Sequence, residues 1–276
     1  MTDLSVFRAL FAWQTWAVFW RHVRVYGRTW KTGILPPVFE PLVFFVAFGV
    51  GLREYVTGLT WEGVALSYTA YVAPALVAYS AFTTSFYESL YSSYVRMFYQ
   101  RTWDGMLATQ IELPHIWWAE ALFAGARGAA NSSIVMLVLV ALGLCGVLPE
   151  LSLAWLWLVP AFAWLAGVSF AAFGLLFTVT VPGIQHMNYP VFMVGVPLGL
   201  FSETYFPIPE TPRLLRILSD INPVACFARL MRHMLLAGDP VAHMLPALLS
   251  TLALLLLCAP VGLKLMRRRV LEQADP

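Results

Sequence analysis

Long apolar stretches alternate with short polar segments along the chain, and six of the stretches are long enough to be membrane spans. They cover residues 33–52, 66–88, 116–147, 155–181, 183–206 and 243–266. A helix needs about 20 such residues to cross the hydrocarbon layer of a bilayer. The pattern therefore predicts an all-α integral membrane protein with six transmembrane helices, folded as a single membrane domain over residues 1–276.

Composition supports this class, since 60% of the residues are hydrophobic and 12% are charged. Soluble domains carry about 25% charged residues. The lipid membrane is therefore an expected partner, and nucleic acid is not. The first 32 residues hold no apolar core followed by a small-residue cleavage site, so the N-terminus is expected to stay inside.

Basic residues predict the orientation, because Lys and Arg are retained on the cytoplasmic side of a membrane. Eleven of the 17 Lys and Arg residues fall in the N-terminal segment, in the loop after the second stretch and in the C-terminal tail. The proposed outer segments hold five. We therefore expect both termini to be cytoplasmic.

The N-terminal segment has the pattern of an interfacial helix. Trp13, Trp16 and Trp20 repeat at the spacing of one helical face, and a second stripe is basic. The basic stripe consists of Arg21, Arg24, Arg28 and Lys31. Tryptophans at headgroup depth beside basic side chains are typical of a helix lying on the inner leaflet. A plain membrane anchor is the alternative.

The polar segment 88–112 lies between two apolar stretches and predicts a short cytoplasmic helix. Thr102 can cap that helix, and Asp104 is favourable in its first turn. Trp103, Met106 and Leu107 would form an apolar knob for a soluble partner, because buried aromatics supply most of the energy of such contacts. Arg101 precedes this helix. An ordinary amphipathic connector is the alternative.

The residues give no sign of catalytic chemistry. A phosphate-binding P-loop needs Gly directly before its Lys, but Lys31 follows Trp30 and Lys264 follows Leu263. The five histidines are scattered over different segments, and the three cysteines form no CxxC pair. We therefore expect no enzyme activity, no metal and no cofactor on this chain.

Several short runs carry a family resemblance. Arg96-Met97, the run QRTW at 100–103, Met106-Leu107 and Thr109-Gln110 resemble the matching loop of nodulation-factor exporter permeases, in the ABC-2 type transporter family. The run FEPLVFFVAFGVGL at 39–52 resembles the first span of that family. The resemblance implies a homodimer that pairs with two ABC ATPase subunits, which carry ATP and Mg. It also implies outward transport of an amphipathic glycolipid or lipooligosaccharide across the bacterial inner membrane.

The resemblance also assigns roles to parts of the chain. It makes 101–107 the coupling helix that contacts the ATPase, and the N-terminal helix can touch the same partner. Prolines break 201–239 into two short amphipathic helices, which correspond to the external re-entrant helices between spans 5 and 6 that cap the transport path. The external gate would then comprise Glu203, Tyr205, Phe206 and Pro207.

The alternative for 201–239 is a surface loop without a transport role. The chain also departs from the family in this segment: Glu203 stands where Gly is usual, and Cys226 and Arg229 differ as well. These differences leave the expected fold intact and put the cargo in doubt.

Aromatic side chains along the second span suggest a transport path. Tyr79, Phe82 and Phe86, with Glu88 at the end of the span, suit contacts with sugars or lipid chains, although ordinary packing explains them too. Glu40 lies near the start of the first span, where it suits the positive end of a helix dipole. A place on a substrate or proton path is the alternative for Glu40.

Other functions remain open from the residues. A drug or antibiotic efflux permease of the same family is the nearest competitor. An ion-coupled secondary transporter needs intramembrane charges, and those that approach the membrane lie near predicted cytoplasmic ends. They are Glu40, Glu88, Glu120 and Arg127. A membrane-embedded enzyme would need a catalytic cluster, which the sequence does not suggest.

Overall fold

The structure, a computed structural model, describes residues 4–51, 55–56, 59–61, 63–208, 212–236 and 238–274. The side chain of Glu40 lies outside what it describes, so both interpretations of that residue stay predictions. The described chain is mostly helical. A small antiparallel hairpin joins β1 (Thr60–Trp61) to β2 (Val64–Ala65), with Thr60 opposite Ala65.

The α-helices fall into three groups along the chain. The first group is α1 (Leu4–Arg8), α2 (Trp13–Phe44), α3 (Tyr68–Tyr87) and α4 (Thr102–Leu107). The second is α5 (Leu113–Leu144), α6 (Val159–Thr180), α7 (Asn188–Pro190) and α8 (Val196–Leu200). The third is α9 (Arg213–Ile221), α10 (Pro223–Leu235) and α11 (Pro240–Ala274).

Shorter turns link these helices. Single 3-10 turns cover Ala9–Phe11, Leu156–Leu158 and Ile184–Met187. Wider π-helical turns cover Phe45–Val50, Glu88–Ser92, Val95–Tyr99 and Val191–Gly195. Such π turns usually mark places where the helix ladder is locally adjusted.

Three helices among the described residues are long and apolar enough to cross a membrane. They are Leu113–Leu144, Leu156–Thr180 and Pro240–Val270. These match the predicted third, fourth and sixth spans, so the expectation of a helical membrane protein is confirmed. The other three predicted spans stay predictions.

The first predicted span is joined directly to the N-terminal helix, which the sequence analysis did not expect. The structure continues the N-terminal helix without a break through α2, whose 32 residues extend about 48 Å. The sequence analysis instead separates an interfacial helix from a span that begins at residue 33. Gly27 and Gly33 weaken a helix by about 1 kcal/mol each, which is too little to end one. The helix also continues through Pro36, Pro37 and Pro41, so these prolines do not end it in the structure.

The fifth predicted span, 183–206, is built from short pieces. A 3-10 turn, α7, a π turn and α8 follow one another from Ile184 to Leu200. Pro190 and Pro197 lack the N–H that a continuous helix ladder requires, and they explain the interruptions. The apolar run is therefore present without forming one regular helix.

Helix α3 is the centre of the bundle, and almost all of its side chains are buried. Small residues let the neighbouring helices approach it closely. A Cβ on Gly128 of α5 would overlap the hydroxyl of Ser85, and one on Gly174 of α6 would overlap that of Ser89. This close packing is typical of helix interfaces in membranes.

Polar contacts between helix ends gather at two opposite ends of the bundle. The hairpin end carries β1 and β2, and there the Ser67 hydroxyl donates to Glu150 Oε1 at 3.0 Å. The α4 end carries α4, and there the Tyr91 hydroxyl donates to Asn188 Oδ1 at 3.0 Å. A bundle with an apolar middle and two polar ends suits a membrane.

The segment after the fifth predicted span forms two short helices, as expected. Helix α9 has an exposed apolar edge that includes Leu214 and Ile221. Helix α10 differs from the expectation of a surface helix in the outer leaflet. Its side chains from Val224 to Met234 are mostly buried, because α10 packs between α3 and α11.

Candidate functional site

A buried carboxylate on α5 is the centre of a polar network at the α4 end. Glu120 is 0% exposed. Its carboxylate accepts hydrogen bonds from Arg96 Nε at 3.0 Å and Arg96 Nη2 at 2.5 Å. The indole Nε1 of Trp103 donates to it at 3.1 Å, and the Ser93 hydroxyl donates at 2.8 Å. The segment after α3 and helix α4 therefore both contact one side chain of α5.

A second buried carboxylate extends the network. Glu88 accepts from Arg96 Nη1 at 3.1 Å and from the Ser92 hydroxyl at 2.8 Å. Arg127 of α5 also forms an ion pair with Glu88. Two arginines and two glutamates thus balance their charges, which is the condition under which buried charges are tolerated.

The pairing holds Arg96 as a cation. Burial opposes its charge, but the charges of Glu120 and Glu88 and their hydrogen bonds raise the pKa of the guanidinium above the ordinary arginine value. Removing either carboxylate would leave Arg96 buried with less compensation. Such a loss in a buried pair commonly costs about 3–5 kcal/mol.

Helix α2 joins the network from the other side. His22 Nε2 lies 3.4 Å from Glu120 Oε1, and the guanidinium of Arg127 lies 4.5 Å from the ring centroid of Tyr26. His22 belongs to a buried stripe with Thr15 and Val18. The network therefore ties α2, the turns after α3, α4 and α5 into one junction.

The structure corrects the role of Thr102. Arg101 is the residue at the N-terminal boundary of α4, and it takes a left-handed backbone with φ 49°. The Thr102 hydroxyl donates to the Arg96 carbonyl at 3.0 Å instead of capping the helix. This bond fixes α4 directly against the Arg96 turn.

The predicted apolar knob also points the other way. Trp103 and Met106 are buried inside this chain, and Leu107 is half-buried. A partner cannot receive the Trp103 ring unless that ring leaves Glu120. The exposed face of α4 is instead polar and small, and it consists of Asp104, Gly105 and their neighbours Arg101 and Ala108.

The N-terminal helix keeps its predicted faces. Its tryptophans Trp13, Trp16 and Trp20 are exposed, which leaves them available to lipid headgroups. The basic stripe is exposed at Arg21, Arg24 and Arg28, while the side chain of Lys31 lies outside what the structure describes. The pattern is that of an amphipathic helix whose buried stripe packs on α5.

The residues of the predicted transport path pack against their neighbours inside the chain. Phe82 and Phe86 are buried and stack on each other with ring centroids 5.6 Å apart. Phe170 of α6 packs edge-on against Phe82 at 5.2 Å. Glu88 belongs to the ion network, and Tyr79 is half-buried against Tyr205. These rings pack in the core of the single chain, which agrees with the alternative of ordinary packing, and a role on a transport path stays a prediction.

The predicted external gate lies at the hairpin end. Glu203 is buried, and its Oε1 accepts hydrogen bonds from Arg229 at 2.6 Å and Ser219 at 2.7 Å. Burial opposes the charge of Arg229, but Glu203 raises its pKa above the ordinary value. Tyr205 is buried, whereas Phe206 and Pro207 are exposed. Two of the four predicted gate residues are therefore buried in the fold, and the other two are exposed at its edge.

Sequence reasoning missed the network as a unit. It placed Glu88, Glu120 and Arg127 near cytoplasmic helix ends but named no partner for them. The available signal was the spacing of Glu120 and Arg127, seven residues apart on one helical face, together with Arg96 in the adjoining loop. The π turns that bring Arg96 under Glu120 carry no comparable signal.

The long apolar helices define a helical integral membrane protein. Residues 13–236 match the ABC-2 type transporter family. The chain therefore belongs to the ABC-2 type transporter family, whose members work with an ABC ATPase partner.

Curated relatives cover most of the chain. It is 30% identical to Nodulation protein J of Rhizobium leguminosarum bv. trifolii over 261 residues. The aligned region covers 93% of this chain and 94% of the relative. Nodulation protein J of Rhizobium meliloti (strain 1021) is 28% identical over 231 residues, 84% of each chain. Nodulation protein J of Bradyrhizobium diazoefficiens is 27% identical over 261 residues, 93% of this chain and 94% of the relative.

Proposed function

We propose that this chain is the permease subunit of an ATP-driven ABC exporter in the inner membrane. The observation that carries the proposal is the bond between Trp103 on α4 and Glu120 on α5. It joins a short helix with an exposed polar face to a helix long enough to cross the membrane. A movement of α4 caused by a partner would therefore reach the membrane helices.

The ATPase would be a separate subunit that carries ATP and Mg. Support comes from the sequence, where neither lysine has the preceding Gly of a P-loop. In this assembly, Asp104, Gly105 and Ala108 face the ATPase, while Trp103 and Arg96 transmit the movement to Glu120. Asp104 forms a loose, exposed pair with Arg101 at 3.6 Å, which leaves its charge available to a partner.

Two copies of the chain would pair with two ATPase subunits. Side chains on one edge of the first predicted span support this arrangement, because Phe39, Val43 and Val46 are exposed and apolar. Gly51 follows on the same segment. In a membrane, small and apolar edges of this kind can pack against a second copy as well as against lipid.

The cargo we propose is an amphipathic glycolipid or lipooligosaccharide, carried outward. The resemblance of the 96–110 loop to nodulation-factor exporter permeases supports it, and the chain is similar over most of its length to proteins named Nodulation protein J. Both termini would lie in the cytoplasm together with α4. The hairpin end would then face outward.

ATP turnover tests the assembly. The permease is purified alone and together with the ATPase that co-purifies from its own host, and both samples are placed in lipid nanodiscs. We expect no turnover by the permease alone and turnover in the complex that rises with added glycolipid. Turnover by the permease alone would contradict the proposal. Stimulation by hydrophobic drugs and not by glycolipid would assign the complex to drug efflux.

A further inference from the structure

A polar pocket of about 510 Å³ opens at the hairpin end. Its wall includes Trp61 from β1, Glu203, Arg229 from α10 and His243 from α11. The volume lies within the range of about 300–1,000 Å³ that is usual for small-molecule sites. The family resemblance assigns no function to this pocket. The pocket shares only Glu203 and Pro207 with the predicted external gate.

Four charged side chains in and around the pocket pair with one another. Glu203 is held by Arg229 through two hydrogen bonds of 2.6 and 3.1 Å. Asp220 lies 2.9 Å from Arg229 and 3.4 Å from Arg216. Two acidic and two basic side chains thus pair with one another, and Arg232, which is fully buried, bonds to backbone carbonyls instead. Paired charges in the wall favour an uncharged ligand with many hydroxyl groups over an ion.

Aromatic rings form another part of the pocket wall. Trp61 packs against His233 with ring centroids 4.6 Å apart, and His233 stacks on His243 at 3.7 Å. Trp61 and His243 are half-buried, so each keeps an accessible ring surface. Flat rings beside paired charges suit a sugar, whose C–H face stacks on a ring while its hydroxyls bond to the charged groups.

The strained backbone of Glu203 also indicates a ligand site. Glu203 has φ 57°, a left-handed conformation that is uncommon for a residue with a side chain. The Tyr71 hydroxyl donates to its carbonyl at 3.0 Å, and the buried Arg232 also donates to that carbonyl. Strained residues held this firmly cluster at ligand sites.

From these observations we infer that the pocket binds a neutral oligosaccharide, the sugar part of the exported molecule, after it reaches the outer side. Trp61 stacks on a sugar ring, and the Glu203 and Arg229 pair bonds to its hydroxyls. The inference rests on the proposed export of a glycolipid, and it adds a binding site on the exit side of the transporter.

Saturation-transfer NMR on the full chain in lipid nanodiscs tests the site, with maltotriose and cellotriose as neutral probes and trigalacturonate as a charged one. We expect a signal from at least one neutral probe and a weaker one from trigalacturonate. Trp61→Ala should weaken neutral binding about tenfold, since losing about 1.4 kcal/mol of contact energy has that effect. Glu203→Gln should also weaken it, because the amide replaces the paired carboxylate.

Trp157→Ala is the matched control, because Trp157 is 73% exposed and lies outside the wall of this pocket. It should leave binding unchanged. Absence of signal from both neutral probes would overturn the inference, as would unchanged binding in Trp61→Ala or preferred binding of trigalacturonate. Binding is measured without ATP or transport, so a failure here is distinct from a failure of the proposed ATP-driven export.

Discussion

Trp103 acts in this protein as an internal anchor for α4. Its ring is buried, and its Nε1 donates to a carboxylate that is itself fully enclosed. Asp104, the next residue, has 62% of its side chain exposed. Two neighbouring residues on one short helix therefore perform separable tasks: one holds the helix to the bundle, and the other faces a partner.

Replacing these two residues separates the tasks. Trp103→Phe removes a hydrogen bond to a buried charge, worth about 1.5–3 kcal/mol, and should lower the unfolding temperature by roughly 5 °C or more. The ATPase should still co-purify, because the outer face of α4 is intact, but cargo-stimulated turnover should fall.

Asp104→Asn is the paired variant, and it should change the unfolding temperature by less than about 1 °C, since exposed ion pairs contribute little. It should weaken ATPase binding a few-fold. Scanning fluorimetry and co-purification measure the two effects. Equal stability of Trp103→Phe and the wild type, with unchanged turnover, would show that Trp103 does not anchor α4.

The important residues of the α4 end could be predicted from the sequence. Which of them face the bundle and which face outward could not. The sequence identified Trp103, Met106 and Asp104 as the important positions of the loop. A helix of six residues carries too few turns for periodicity to tell its inner face from its outer face. The inner face is set by Glu120, a contact across 17 residues that no local pattern encodes.

At the scale of elements, the long regular helices were predictable and the interrupted ones were not. Helices α5, α6 and α11 follow directly from apolar length. The fifth span breaks at prolines whose effect depends on how neighbouring helices satisfy the freed backbone groups. Helix α10 is buried although its sequence carries Arg229 and Arg232, because Glu203 and backbone carbonyls accept their hydrogen bonds.

Helix α4 should lose its partner when its outer face is blocked. Gly105 is exposed, and a Cβ placed there meets no other atom within 4 Å, so Gly105→Trp should leave the permease folded. It should abolish co-purification of the ATPase, because the new ring occupies the contact face.

Gly27→Trp is the matched variant on α2, where Gly27 is also exposed with open space around it. It should retain the ATPase if α4 provides the main contact. Loss of the ATPase in Gly27→Trp, with retention in Gly105→Trp, would move the docking surface to the N-terminal helix. Size-exclusion profiles of both variants check that the permease itself is intact.

At the scale of the whole molecule, thiol labelling tests the orientation of the chain in the membrane. Cys145 is exposed at the C-terminal end of α5, while Cys226 and Cys258 are buried. An impermeant maleimide added outside intact cells should therefore label native Cys145. In a Cys145→Ser background, Leu214→Cys should react from outside and Thr109→Cys only after the cells are opened. The reverse pattern would contradict the proposed topology.

The most direct test of the account is transport by inside-out membrane vesicles that contain the permease and its ATPase. A fluorescent glycolipid is added outside the vesicles, and its accumulation in the lumen is followed with and without ATP. We predict ATP-dependent accumulation by the wild type and none by Gly105→Trp. Accumulation that persists without ATP, or that follows an imposed proton gradient, would contradict an ATP-driven exporter.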